Sequence, residues 1–378
     1  MRQNRRKWTG RISFLLALGL ILGLLPVRAG IAEAAEPPRV YSFIEVGQIA
    51  QNNGSAIVRQ RISVDQAERS MESSLLTFQE KAYEYYLSIG NVPQSTLTSA
   101  EEDYAKSYNS YRDAKESLEK LELEVGYKAQ KLYLDILQAQ RQIAIQEKEE
   151  LRLGAEYELA KAKFTFGSIN LTQLNTAKTQ WETAGETLRS LKSDLQTSQN
   201  TMRDYLSLAK EEDFALENPP DFGNYGTSFD DEEVMTLAFA NSLALRQAQR
   251  EVDDLNTRIR QYRDNGQARS AETLALTGPT KDLALKEARE SLTNTVENTM
   301  KSFHDLDKAL EKADAAYQQA KMDYQLALLK QNMGLATMNE LRLAQKEMLN
   351  TEKSLCQAQY NKYLGAKQVI LLRQGIVV

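Results

Sequence analysis

The side chains that most often carry chemistry are few and scattered in this chain. It has one histidine, His304, and one cysteine, Cys356. A lone histidine makes a histidine-based metal cluster or a Ser-His-Asp triad hard to build. A lone cysteine excludes an intramolecular disulfide, and Cys356 sits in a helical pattern that suits a small, buried or semi-buried side chain. The paired acids Glu101-Glu102 and Asp230-Asp231 fall at expected helix starts, where they fit the helix dipole as solvated charges. Tyr104, Tyr108 and Tyr111 could form a ligand or sugar platform, but their helical spacing fits a packing seam with hydroxyl hydrogen bonds better. No Gly-rich phosphate loop, metal-ligand spacing or nucleophile–base arrangement stands out. The expectation is a protein that is not an enzyme, with no catalytic residue, no metal site and no cofactor.

The N-terminus reads as an export signal. Arg2, Arg5, Arg6, Lys7 and Arg11 precede an uncharged apolar run, residues 12–27, and Ala32 and Ala34 supply the small residues a signal peptidase reads. The run is shorter than the roughly 20 residues that span a bilayer, which favours a cleaved signal over an uncleaved anchor. The Arg5-Arg6 pair resembles a twin-arginine signal, but the flanking residues fit that motif poorly and ordinary secretion is expected. No cysteine follows the run to carry a lipoprotein anchor. The segment 1–34 holds six Lys or Arg and one acid, so its removal takes the net charge from −5 to −10. An acidic exported chain is a poor nucleic-acid binder.

The mature chain reads as helix. No proline falls between Leu97 and Asn218, where Glu, Lys, Gln, Ala and Leu dominate. Tyr104, Tyr111, Leu118, Val125, Leu132 and Ala139 recur every seven residues, with Tyr108, Ala129, Ile136 and Ile143 four residues after members of that series. A sustained seven-residue repeat makes a left-handed coiled-coil seam. The expected helices are 56–87, 99–166, 171–208, 230–263, 282–332 and 338–372. The second would reach about 100 Å at ~1.5 Å per residue. Residues 88–98, 210–229 and 264–281 are expected to be breaks or loops. Gly167-Ser168-Ile169-Asn170 and Gly334-Leu335-Ala336-Thr337 are expected to be tight turns, with Asn170 or Thr172 capping the helix after the first.

The chain also repeats. A shift of 167 positions pairs Tyr157 with Tyr324, Leu159 with Leu326, Gly167 with Gly334 and Leu174 with Leu341. A weaker match at 188 positions pairs Ala56 with Ala244, Val64 with Val252 and Asp65 with Asp253. The shared glycine, at the same place in a helix–turn–helix, carries the repeat. The organisation expected is a signal peptide at 1–34, a first helical repeat at 35–209, a connecting loop at 210–229 and a second repeat at 230–378. The fold class is all-α: elongated antiparallel coiled-coil hairpins in two internal repeats.

The two hairpin segments, YELAKAKFTFGSINLTQLNTA from Tyr157 and YQLALLKQNMGLATMNELRLA from Tyr324, resemble the TolC family of outer-membrane efflux proteins. The opening of the second half, DEEVMTLAFANSLALRQAQREVDD, with Asn241, also looks like that family's opening helix. The resemblance implies a homotrimer whose six hairpins form a twelve-helix tube. It implies that the glycine turns dock on a membrane-fusion adaptor above an inner-membrane transporter. Carried over, Phe166, Gly167, Ser168, Met333, Gly334 and Leu335 become the partner-binding residues at the hairpin tips.

One departure from the family concerns the membrane. Typical members insert paired β-strands at the helix breaks, and three protomers close a barrel. A strand hairpin needs roughly 20–25 residues, so the first break is too short, and neither break has the alternating apolar pattern and aromatic girdle of a barrel strand. The chain is therefore expected to lack a β-barrel, and to sit in the extracytoplasmic envelope outside the membrane of a single-membrane bacterium. The alternative function is a wall-associated coiled-coil scaffold or regulatory binding protein with no conduit role. Circular dichroism of the mature chain should show mostly helix, in buffer without detergent. A strong strand signal, or a need for detergent, would contradict the missing barrel.

Overall fold

The computed structural model describes residues 39–87, 93–209, 212–218, 228–264 and 266–378. The export segment 1–34 and the proline-containing stretch 219–227 lie outside the described residues. Arg39–Val378 form one unit by themselves. A short strand, β1 (Arg39–Tyr41), opens it. Helix α1 (Phe43–Asn53) follows, with the Ser42 hydroxyl accepting from the Glu45 amide at its start. It yields at Gly54 to α2 (Ser55–Tyr86). The long helix α3 (Gln94–Thr165) then runs antiparallel to α4 (Leu171–Leu206). Strand β2 (Phe214–Leu216) pairs in parallel with β1, Arg39 opposite Phe214. The second half comprises α5 (Asp231–Asn241), α6 (Leu243–Asp264), α7 (Ala268–Ala275), α8 (Gly278–Asn332) and α9 (Met338–Arg373).

Several boundaries differ from the sequence expectation. Helix α3 starts at Gln94 and not at 99, because Pro93 sits in extended backbone at the N-cap and the helix begins directly after it. The expected helix 230–263 is interrupted at Ser242, which is extended. The expected break 264–281 contains α7, whose Ala271, Leu274 and Ala275 pack on Leu255, Ile259 and Tyr262 of α6. Pro279 starts α8 and breaks nothing, since the first turn of a helix needs no amide there. The expected loop 210–229 contains β2. Helix α1 was not anticipated.

The repeat reaches into the core. Helices α1 and α5 are each 11 residues long and start 188 positions apart. Helices α4 and α9 are each 36 residues long and start 167 positions apart. The second half is therefore 21 residues shorter, the difference of 188 and 167, on the side of α6, α7 and the start of α8. Equivalent residues are buried in both halves: Val46 and Val234, Ala50 and Ala238, Tyr133 and Met300, Ile136 and Phe303, Met202 and Val369. The core thus lies where α1 packs on the middle of α3 and where α5 packs on α8 and α9.

The seven-residue seam of α3 is present. Val125, Ala129, Ile136 and Ile143 are buried, while Tyr104, Tyr111, Leu118, Leu132 and Ala139 are half-buried. Two of the three tyrosines pack as a seam: Tyr104 stacks on Phe78 at 6.2 Å, and the Tyr111 hydroxyl donates to Glu68 at 3.3 Å, whereas Tyr108 is exposed. Tyr133, Leu134 and Leu137 are buried outside that series, because α1, α4 and α9 all cover this part of α3. The Tyr133 hydroxyl donates to the carbonyls of Tyr41 and Glu217, which ties the small sheet to α3.

Between the halves, α3 lies along α9 on a polar seam. Lys346, Lys353 and Lys367 of α9 donate to Glu149, Gln142 and Gln130 of α3 at 2.7, 2.7 and 2.6 Å. Tyr360 takes the remaining place in that seven-residue row and is buried. Lys367 stands over the rings of Tyr363 and Phe43, and burial pushes its ammonium below the usual lysine value. The partners recede from Gly167 on α3 as they recede from Gly334 on α9. The helices are therefore antiparallel, and both glycine turns lie at one end.

Glu149 is the charged member of this seam. Arg152 binds it through Nε and Nη2 at 2.8 and 2.9 Å, and Lys346 adds a third donor. These cations, Arg152 foremost, lower its pKa to about 2 from the usual 4.5. A carboxylate with a lowered folded-state pKa stabilises the fold above its unfolded pKa, and that contribution fades as pH falls towards the folded value. Glu149→Gln should therefore melt below the wild type at pH 7. The gap should narrow between about pH 4.5 and pH 2 in thermal melts followed by circular dichroism.

Candidate functional site

Each hairpin closes through the same backbone device. At the end of α3, the Ser168 amide donates to the Lys163 carbonyl at 2.8 Å and the Gly167 amide to the Phe164 carbonyl at 2.9 Å. At the end of α8, the Leu335 amide donates to Lys330 at 2.8 Å and the Gly334 amide to Gln331 at 2.9 Å. This is the Schellman pattern, six-to-one and five-to-two bonds around a left-handed residue. Gly167 has φ 70° and Gly334 has φ 73°. A Cβ built at either would meet nothing within 4 Å. Glycine is favoured there by conformation and not by crowding.

The returning helices are capped alike. Asn170 accepts from the Gln173 amide at 2.9 Å, and the Gln173 side chain accepts from the Asn170 amide at 3.1 Å. Of the two expected caps, Asn170 serves and Thr172 lies inside α4. Thr337 and Glu340 repeat the device on α9, the Glu340 amide donating to the Thr337 hydroxyl oxygen at 3.2 Å. The Thr337 amide in turn donates to the Glu340 carboxylate, and this bond leads the lowering of its pKa. With reciprocal bonds on both sides of the glycine, each turn is locked in one shape.

What these turns present to solvent is apolar. Phe166 is 84% exposed, Leu335 73% and Met333 56%. Leu171 and Met338, the first residues of the returning helices, are exposed beside them. The six expected site residues thus fall into two groups of three, one per turn. Phe164, Leu171 and Met338 extend the apolar caps and were not foreseen. The signal available for the last two was their place directly after an N-cap residue. Such a surface has nothing to offer a proton or an electron pair; it suits contact with another apolar surface.

The other singled-out residues lie away from the turns. His304 bonds Asp231 at 3.0 Å on the surface beside α5. Cys356 is half-buried on α9. Among the described residues, no group of three or more His, Cys, Asp or Glu is placed to hold a metal ion, and no helix is long and apolar enough to cross a membrane. The only strands among them are β1 and β2, of three residues each, so they contain no barrel strand. Tyr86 ends α2 and Gln94 starts α3, which leaves too little chain between them for a strand hairpin of roughly 20 residues.

No family model matches the sequence, and no curated protein matches it. Solved structures do match in shape. The Campylobacter jejuni CmeC outer membrane channel is 10% identical with a TM-score of 0.64, covering 88% of this chain and 85% of the channel. The outer-membrane channel OprN is 12% identical with a TM-score of 0.63, covering 88% and 90%. The open state of the Neisseria gonorrhoeae MtrE outer membrane channel is 12% identical with a TM-score of 0.52, covering 89% of each chain. At such identities the likeness speaks for fold alone. The chain has the helical fold of the TolC-family outer-membrane channels, with no barrel strand among its described residues.

Proposed function

We propose that this chain is an extracytoplasmic helical component of an efflux or export assembly, and that it docks on a membrane-fusion adaptor through its hairpin tips. The observation that carries this reading is the pair of locked turns, alike in backbone and facing one way, each capped by exposed apolar side chains. Phe166, Gly167, Ser168, Met333, Gly334 and Leu335 are the docking residues. The adaptor in turn stands on an inner-membrane transporter. The protein acts by binding and conduction and not as an enzyme. The channels that share its fold support a conduit role.

In this reading residues 1–34 are an export signal, 35–209 and 230–378 are two equivalent repeats, and 210–229 joins them. Three protomers contribute two hairpins each to a tube. The seam of α3 on α9 supports this arrangement. It leaves α4 and α8 on the outer edges, where Met322, Leu326 and Leu329 of α8 are exposed and available to a neighbouring copy. The tube stands in the envelope outside the membrane, as suits a single-membrane cell.

The test is capture of the adaptor from the same cell by wild type and by the Gly167→Val, Gly334→Val double variant. Valine at φ near +70° strains each turn by about 1–2 kcal/mol, which is small for helices of this length, so helicity should be unchanged. Capture should fall, because the turns no longer present Phe166, Met333 and Leu335 in the same way. Equal capture with unchanged helicity would remove the tips from adaptor binding and leave the wall-associated scaffold as the better account.

A further inference from the structure

Around the Glu149–Lys346 contact, α3 and α9 line a cleft of about 360 Å³. Its apolar wall is Ile145, Leu151 and Leu349, and Leu151 is 71% exposed there. Its charged wall is Lys148, Arg152, Arg342 and Lys346 around the single carboxylate Glu149. Two of the four cations are committed. Arg152 holds Glu149 with two N–H groups and Glu156 with a third at 2.7 Å, and Lys346 holds Glu149. The other two, Lys148 and Arg342, are exposed and make no hydrogen bond or ion pair among the described residues. One comes from each half of the molecule.

We propose that this cleft binds a small anionic amphiphile, a carboxylate or sulfate head on a short apolar chain, with Lys148 and Arg342 clasping the head and Leu151, Ile145 and Leu349 covering the chain. The charge is complementary: the one acid lining the cleft, Glu149, already has cationic partners, so the net excess is positive and falls on two free cations. The size is that of a small-molecule site, at the lower end of the usual ~300–1,000 Å³. The two cations stand on different helices, one on α3 and one on α9, around a cleft of small-molecule size, which suits a single anion better than an extended acidic segment. A ligand held this way touches both halves and braces the seam between α3 and α9. The inference does not depend on the docking role of the tips.

The test is calorimetric titration of the exported chain with decanoate and octanoate below their micelle concentrations. Decanol and decyltrimethylammonium serve as controls for the head group. An Asp/Glu-rich peptide and phosphatidylglycerol vesicles serve as alternative sources of negative charge. The expected result is saturable binding of one decanoate per chain, weaker binding of octanoate, and a melting temperature that rises with decanoate. Lys148→Gln with Arg342→Gln should weaken decanoate binding at least tenfold, with helicity and the ligand-free melting temperature unchanged. Leu151→Asn should remove the advantage of decanoate over octanoate, which tests the apolar wall without touching a charge. The proposal is overturned if decanoate does not saturate, if decanol or the cationic amphiphile binds as well, or if the charge variant binds normally. Binding of the peptide or the vesicles without binding of monomeric decanoate would overturn it equally.

Discussion

The seam between α3 and α9 is the contact on which the rest of the arrangement depends. Within each hairpin the tight glycine turn aligns the two helices, and polar contacts such as Trp181 to Glu150 and Lys362 to Asp307 add to the apolar ones. Across the seam, lysines of α9 reach amide and carboxylate oxygens of α3, and each such bond has one length and one angle. The spacing of Lys346, Lys353 and Lys367 repeats with the helix, so a slip by one turn would break all three bonds together. Register is therefore set by polar groups, while cohesion comes from the buried clusters around Tyr133 and Met300. The common direction of the two glycine turns is a consequence of this register.

Some buried polarity is the cost of that specificity. Lys367 sits among aromatic rings with Gln130 as its acceptor, and the Gln138 side-chain oxygen is buried with no hydrogen-bond partner. An apolar pair at either place would tend to be at least as stable. It would also remove a bond that distinguishes one register of the halves from its neighbours. The carboxylate Glu149 stands where the seam opens into the cleft, and three N–H groups keep it charged.

Much of this was legible in the sequence, and the reason differs from element to element. The seven-residue series of α3 and the glycine turns are local patterns, and both appear where the spacing put them. The repeat at 167 positions reports α3–α4 and α8–α9, and the fainter one at 188 reports α2 and α6; the same shift relates the start of α1 to that of α5. Helix α1 itself was missed. It is short, and Gly47 and Gly54 punctuate it; its stability comes from burial of Phe43, Val46 and Ala50 against α3, which no local propensity shows. Helix α7 was hidden between Gly266 and the Gly278-Pro279 pair, which read as loop but act as a helix end and a helix start. Strands β1 and β2 are distant in sequence and too short to leave a period. The apolar tips could be read from the turn sequences, whereas Lys148 and Arg342 belong to no motif and line one cleft only because two distant helices are aligned.

The distance from tip to core decides how freely the tips can vary. Gly167 lies 30 residues beyond Leu137, and Gly334 lies 31 residues beyond Phe303. At about 1.5 Å per residue, each tip stands roughly 45 Å along its helix from the nearest large buried cluster. Each turn satisfies its own backbone groups through its Schellman bonds and capping box, and borrows no side chain from the core. Replacing Phe166, Met333 or Leu335 therefore removes little buried surface, since all three are already in solvent. A surface of this kind can be retuned for a partner with almost no effect on the stability of the fold. The same is not true of Glu149 or Lys367, where a change of side chain alters both the register of the halves and the cohesion of the seam.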